Sequence, residues 1–346
     1  MQESRSAAAL AHSRSRSTTL LAGAALLALA ACSSEAPTSN STPVVPAPQA
    51  FSLASNALEA ANLSTERVVR SWATIEKRHP GTASLNDPVV NSPFDLTYVG
   101  GPVIKRATNW NVYVNCDTTP AGCWGSNDLS PANFLRDLNR SPMIQVANQY
   151  LGVNAQGKFS TSELTLNGAT FAPNGGGVPT ASINDIFSVL FSAAVFTRAT
   201  GYENLYHVFL PAGTDMCISA GNCYSPDNFN TFFFCAFHGS VTFRDPANPG
   251  GTLHVIYSVE PYQDVPGCSP VAGTPHGTID ATASTLSHEF FEAITDPDLN
   301  AWFNFLTGEE IADLCSAFSS DERMGGHNYV LQTEYSNRIH ACTNRS

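Results

Sequence analysis

The sequence predicts an α+β domain with a mixed sheet, packed helices and disulfide bracing. Strand-like and helix-like segments interleave from residue 94 onward. Long loops rich in Gly, Pro and Cys at 211–230 and 260–281 interrupt any regular βα repeat, and eight of the nine cysteines lie beyond residue 100. Of 346 residues, 43% are hydrophobic and 13% charged, which is enough apolar material for a large core. Seventeen basic residues against 29 acidic ones give a net charge of −12, which repels phosphate backbones and argues against a nucleic-acid partner.

The N-terminus reads as an export signal. Arg5, Arg14 and Arg16 precede an apolar run at 20–30 that is short for a membrane span. Leu29-Ala30-Ala31-Cys32 resembles a bacterial lipobox, so residues 1–31 are expected to be a lipoprotein signal peptide and Cys32 the lipidated residue. The alternative is ordinary small-residue cleavage around 28–31. Either route places the protein outside the cytoplasm, and Ser33 in place of Asp favours the outer membrane or cell surface, with the lipid as the membrane attachment. Residues 32–50, dominated by Ser, Thr, Pro and Ala, predict an extended tether. From Ser52 to Arg78 the apolar residues Leu58, Ala61, Val68, Val69 and Trp72 follow a helical spacing, and Pro80-Gly81 closes it. Residues 51–93 therefore form a helical N-terminal extension, one reading of which is a removable prosegment.

The remaining segment, 94–346, is expected to be a single domain. Val103-Ile104 and 110–114 have strand character, and Ser130-Pro131 supplies an N-cap and first helical position for a helix through Phe134 and Leu138. Ser141-Pro142 repeats that signal, giving a second helix or a kinked continuation with Ile144, Val146 and Tyr150. Further strands are expected at 164–166, 205–210, 231–237 and 252–259, with a helix across 183–196. The glycine run at 175–177 lacks the Lys of a phosphate loop and reads as a turn. Short separations suggest local staples within Cys116/Cys123 and Cys217/Cys223, leaving Cys235/Cys268 and Cys315/Cys342; many other connectivities are open. No C-x-x-C spacing occurs, which disfavours a four-thiolate zinc site.

The segment before Pro297 carries the most chemistry. Ser287-His288-Glu289-Phe290-Phe291-Glu292 is expected on a helix, where residues four apart project from one face, so His288 and Glu292 can share a metal ion. Glu289 is then placed to take a proton from water activated by the ion. The pattern matches H-E-x-x-H zinc hydrolases with the second His replaced by a carboxylate, a change that lowers the site's positive charge and weakens water activation. Downstream, Glu310 and Asp313 would share a face if their segment formed a helical turn, and either offers a third ligand at an interval like that of thermolysin-like enzymes. Asp296 and Asp298 are weaker candidates, and Asp296 beside Pro297 also suits a cap at the helix exit. Residues 280–313 contain no Lys or Arg, so their carboxylates lack a local counter-charge.

The bland reading is a solvated acidic helix paired with basic side chains. His238 reads as a structural histidine before a proton donor, and His276 and His327 as loop or surface residues. Trp302 and Phe303 suit core packing better than a substrate wall. No G-x-S-x-G elbow accompanies Ser284 or Ser287, which argues against a serine hydrolase.

Gly100-Gly101-Pro102-Val103, the strand at 110–114, Ser130-Pro131-Ala132, Cys235-Ala-Phe-His-Gly-Ser240, Pro266-Gly267-Cys268, 277–280 and Thr295-Asp296-Pro297 together resemble the EXORDIUM-like, phosphate-induced secreted proteins and their bacterial relatives over about 95–346. The resemblance implies secretion and a shared fold. The plant members lack the His-Glu pair, so it transfers no catalysis from them. Bacterial relatives with H-E-x-x-E, T-D-P and G-x-E-I-x-D-x-C imply a zincin-like site at His288, Glu289, Glu292 and Glu310 or Asp313. The expected function is a lipid-anchored Zn²⁺-dependent hydrolase of peptide or amide bonds, acting on a peptide or cell-envelope substrate. The alternative is a non-catalytic cell-surface binding module with a structural cation.

Overall fold

The computed structural model describes residues 49–51, 95–126, 128–269 and 277–346. The signal peptide, Cys32, nearly all of the tether and extension, and His276 lie outside them. A six-stranded sheet organises the domain: β1 (Gln49–Phe51), β2 (Ala107–Val114), β3 (Phe159–Leu166), β4 (Asn204–Phe209), β5 (Phe237–Arg244) and β6 (Thr252–Glu260), in the order β1-β3-β2-β4-β6-β5. All neighbouring pairs are parallel except β5 with β6. The sheet is mixed, as expected, but its parallel order is closer to α/β than to α+β. Gln49–Phe51, where the tether was expected to meet the extension, instead adds an edge strand beside β3.

Three helices cover the sheet: α1 (Pro131–Arg140), α2 (Ile183–Thr197) and α3 (Thr278–Thr295). The period-two alternation of β2 sends Tyr113 toward the core shared with α1 and α3, and Val112 and Val114 toward the core shared with α2. α1 starts where Ser130-Pro131 predicts: the Ser130 hydroxyl accepts from the Asn133 amide at 3.3 Å, and the Asn133 side chain accepts from the Ser130 amide at 3.0 Å. Beyond Pro142 the chain makes a 3₁₀ turn, Met143–Ala147, and one helical turn, Asn148–Leu151, rather than a second long helix.

Two strand expectations shift. Val103-Ile104 is irregular, and 231–236 is a pinned loop with β5 beginning only at Phe237. Phe232 and Phe234 are buried in the α2-side core and Cys235 is bonded to Cys268, so these residues satisfy their apolar character without pairing in the sheet. His238 therefore sits within an edge strand. A hairpin of β7 (Ser319–Met324) and β8 (His327–Gln332), which the sequence reading did not foresee, packs on α3.

The cysteines pair as the spacing suggested: Cys116–Cys123, Cys217–Cys223, Cys235–Cys268 and Cys315–Cys342. The last two flank the chemistry. Cys235 lies three residues before His238, and Cys315 closes the 3₁₀ turn Asp313–Cys315.

Candidate metal centre

α3 is buried from Ile279 to Thr295, an unusual environment for a helix bearing His288, Glu289 and Glu292. The sheet lies on one side of it and β8 on another, so its polar side chains must find partners inside the protein. On the β8 side, Asp280 Oδ1 accepts from the Val330 amide at 2.9 Å and Ser284 Oγ from the Gln332 amide at 3.1 Å. One turn further along the same face, His288 Nδ1 lies 3.2 Å from Gln332 Oε1. Gln332 Nε2 lies 3.0 Å from the same Nδ1 and donates to the Ala312 carbonyl at 2.7 Å; in the tautomer able to hold an ion, Oε1 accepts from His288 Nδ1–H. Nε2 of His288 then presents a lone pair.

That lone pair faces carboxylates. His288 Nε2 is 3.0 Å from Glu292 Oε1 and 3.5 Å from Asp313 Oδ1. Asp313 is held by its own backbone, whose amide donates to Glu292 Oε1 at 3.3 Å, while its Oδ2 accepts from the Glu310 amide at 3.2 Å. Ligand atoms on an ion with bonds of about 2.0–2.2 Å sit about 3.3–3.6 Å apart at tetrahedral angles, the range these groups approach. His288, Glu292 and Asp313 thus form one candidate ion-holding group. The segment from Glu310 does turn, with the Leu314 amide donating to the Glu310 carbonyl at 3.4 Å ahead of a 3₁₀ turn at Asp313–Cys315, but the two acidic side chains diverge instead of sharing a face. Glu310 Oε1 lies 3.6 Å from His238 Nε2, away from His288.

A second group adjoins the first. His238 Nδ1 lies 3.5 Å from Glu289 Oε2 and 3.4 Å from Glu292 Oε2, with Nε2 3.4 Å from the Asp296 carbonyl. His238 reaches α3 because β5 pairs with β6 in a register that places it beside Ser258, which neighbours His207, which neighbours Asn111, which neighbours Glu163. This polar row crosses five strands on the face that α3 covers. Its members are far apart in sequence, so only the alternation of polar and apolar residues within each strand, as in Asn109-Trp-Asn111-Val-Tyr113, hinted at it.

Burial and charge act together here. His288, Glu289 and Glu292 are 0% exposed, His238 2%, Glu310 5% and Asp313 8%. His238 Nδ1, His288 Nε2, both oxygens of Glu289, Glu292 Oε2, Glu310 Oε1 and Asp313 Oδ1 are buried without a hydrogen-bond partner. Among the described residues no Lys or Arg ion pair reaches them. The bland reading, an acidic surface helix paired with basic residues, is thereby excluded. Burial holds Glu310 well above the carboxylate range; burial, reinforced by the Glu292 charge, raises Asp313 from 3.8 to about 7; burial raises Asp296 from 3.8 to about 6. Against burial, the charge of Glu292 helps lift His288, and that of Glu310 helps lift His238, well above the ordinary imidazole value. Glu292 alone is lowered, to about 2: His288 and His238 outweigh its burial.

A pH dependence follows. A carboxyl whose folded pKa is raised contributes stability below its unfolded pKa and loses it as pH climbs through the folded value; a raised histidine likewise stabilises only while protonated. For Asp296, Asp313, His238 and His288 the signs agree, and Glu292 opposes them only below its ordinary value of 4.5. Ion-free protein is therefore expected to melt at progressively lower temperature from about pH 4.5 to about pH 7.5, and saturating Zn²⁺ to remove or reverse that slope, because the ion displaces those protons. Paired thermal melts with chelator and with Zn²⁺ across that range check this; an upward slope in chelator contradicts it.

Other candidates occupy structural roles. Asp296 Oδ1 accepts from the amides of Asn300 at 2.5 Å and Ala301 at 2.6 Å, capping the loop after α3. Trp302 packs against Tyr98 and Tyr150 and donates to the Tyr150 carbonyl at 3.0 Å. Asp298 pairs with His254 at 3.0 Å and His327 with Asp137 at 2.7 Å. No helix of the described residues is long and apolar enough to cross a membrane. No family model, curated protein or solved structure matches the chain.

Proposed function

We propose that the chain is a zincin-like, metal-dependent hydrolase of peptide or amide bonds, exported and held at the cell envelope through a lipid on Cys32. One observation carries the reading: His288 Nε2, Glu292 Oε1 and Asp313 Oδ1 converge in a buried acidic cluster that no Lys or Arg among the described residues pairs with. The mixed nitrogen and oxygen donor set suits Zn²⁺. When bound, the ion supplies a Lewis acid that polarises a carbonyl and acidifies water.

The chain's residues do the rest. Gln332 orients His288, and the Asp313 amide steadies Glu292. Glu289, next to the ligand pair and with both oxygens free of hydrogen bonds, takes the proton of the attacking water and passes it to the leaving amine. Glu310 and Asp313, at 5% and 8% exposed, are the least deeply buried members, so their loop is the side from which a substrate would have to enter. Four disulfides suit an oxidising compartment and support the extracytoplasmic placement.

A second reading, a binding module with a structural cation, is favoured by the 0% exposure of His288, Glu289 and Glu292, which shields these side chains from a substrate carbonyl in this conformation. Glu289→Gln separates the two. The hydrolase reading expects this variant to keep the ion at His288 and to lose about 10²–10⁴-fold in kcat/KM against a mixed peptide library. Unchanged turnover removes Glu289 from the proton-accepting role, and zinc-loaded wild type with no turnover supports the module.

A further inference from the structure

We infer that the centre is built for two divalent cations rather than one, with the Glu292 carboxylate as the bridge and His238 as the anchor of the second ion. This deepens the metal-dependent reading above and rests on it. His238 Nε2 lies 3.4 Å from the carbonyl of Asp296, which can only accept, so in the ion-binding tautomer Nε2 keeps its proton and Nδ1 presents a lone pair. That lone pair points at Glu289 Oε2 and Glu292 Oε2, 3.5 and 3.4 Å away, and makes no hydrogen bond with either. In the ion-free chain a proton on Nδ1 offsets the two carboxylates; a divalent cation between the three atoms takes that proton's place in the water-excluded interior.

His288 repeats the arrangement. Its Nδ1 is committed to Gln332, and its bare Nε2 faces Glu292 Oε1 and Asp313 Oδ1. The two oxygens of one carboxylate therefore enter two separate donor groups, the pattern of bridged pairs whose ions sit about 3.5–4 Å apart. Charge agrees. Glu260, Glu289, Glu292, Asp296, Glu310 and Asp313 are all buried around two imidazoles, and once cations displace the protons these carboxyls hold, a single divalent ion opposes only two of the resulting charges. In the two-ion state Glu289 ligates through Oε2, and Oε1 remains to take a proton.

The test counts ions and asks whether they are neighbours. The full chain, stripped with chelator, is reloaded with Zn²⁺ for elemental analysis and with Mn²⁺ for electron paramagnetic resonance. The expected result is two equivalents per chain and an exchange-coupled Mn²⁺ spectrum, falling to one equivalent and an uncoupled six-line spectrum in His238→Ala and in Asp313→Asn. One equivalent in wild type, or two uncoupled ones, overturns the inference while leaving the single-ion hydrolase standing. No bound ion at saturation overturns both. If His238→Ala fails to fold, the wild-type count and coupling decide alone.

Discussion

Glu292→Gln is expected to leave the protein without bound zinc and without hydrolytic activity, and to destabilise the ion-free fold as well. Among the described residues Glu292 is the carboxylate that pairs with both histidines, through Oε1 to His288 at 3.0 Å and Oε2 to His238 at 3.4 Å, and it also accepts the Asp313 amide. It is 0% exposed, so water cannot replace it. The amide has nearly the same shape, but it lacks the charge that the imidazoles favour strongly enough to hold Glu292 at about 2. Removing one partner of a buried charged pair costs about 3–5 kcal/mol. Urea unfolding of ion-free wild type and variant reads that loss, and elemental analysis reads the ion. A variant that retains zinc at wild-type occupancy would show that Glu292 is not a ligand.

Chelation is expected to produce the second large effect. An ion that binds only the folded chain stabilises it by about 4 kcal/mol when present at about a thousand times its Kd. For a domain of this size that corresponds to a fall in Tm on the order of 10 °C when the ion is stripped at neutral pH. The loss should concentrate where α3, β8 and the Asp313–Cys315 turn meet, since His288, Gln332 and Asp313 join them through the ion's position. Hydrogen exchange is expected to show β8 amides such as Val330 and Gln332, bonded to Asp280 and Ser284 of α3, losing protection first. A Tm that moves by less than about 1 °C on stripping would mean that the cluster is held by protons alone.

The parts of this centre that are local in sequence were legible there. A helix ending at Pro297 follows from its composition, and the spacing of His288 and Glu292 places them on one face wherever the helix packs. The observed disulfides match the pairing that short separations suggested, although spacing alone left many other connectivities open. Choosing between Glu310 and Asp313 was not open to the same reasoning. Helical spacing treats them as equivalent, whereas the irregular turn that Glu310 opens sends Asp313 toward His288 and Glu310 toward His238.

His238 illustrates a deeper limit. Its arrival depends on where β5 starts, and the aromatic run at 231–237 looks as strand-like as the residues that pair. Burial of Phe232 and Phe234 and the Cys235–Cys268 bond shift the start to Phe237, and the antiparallel register with β6 then selects the face. Gln332 was hidden for a similar reason, because an alternating hairpin carries no mark of which helix it will cover. The parallel order of the sheet likewise depends on long-range pairing, including an edge strand from Gln49–Phe51 that a Pro-rich segment gave little reason to expect.

Crystals of the full chain grown with zinc, measured above and below the zinc absorption edge, would place the ion without reference to activity. Anomalous density is expected within coordination distance of His288 Nε2, Glu292 Oε1 and Asp313 Oδ1. Ordered side chains at these positions with no anomalous peak between them, or a zinc peak held elsewhere by other residues, would refute the metal centre and the hydrolase built on it.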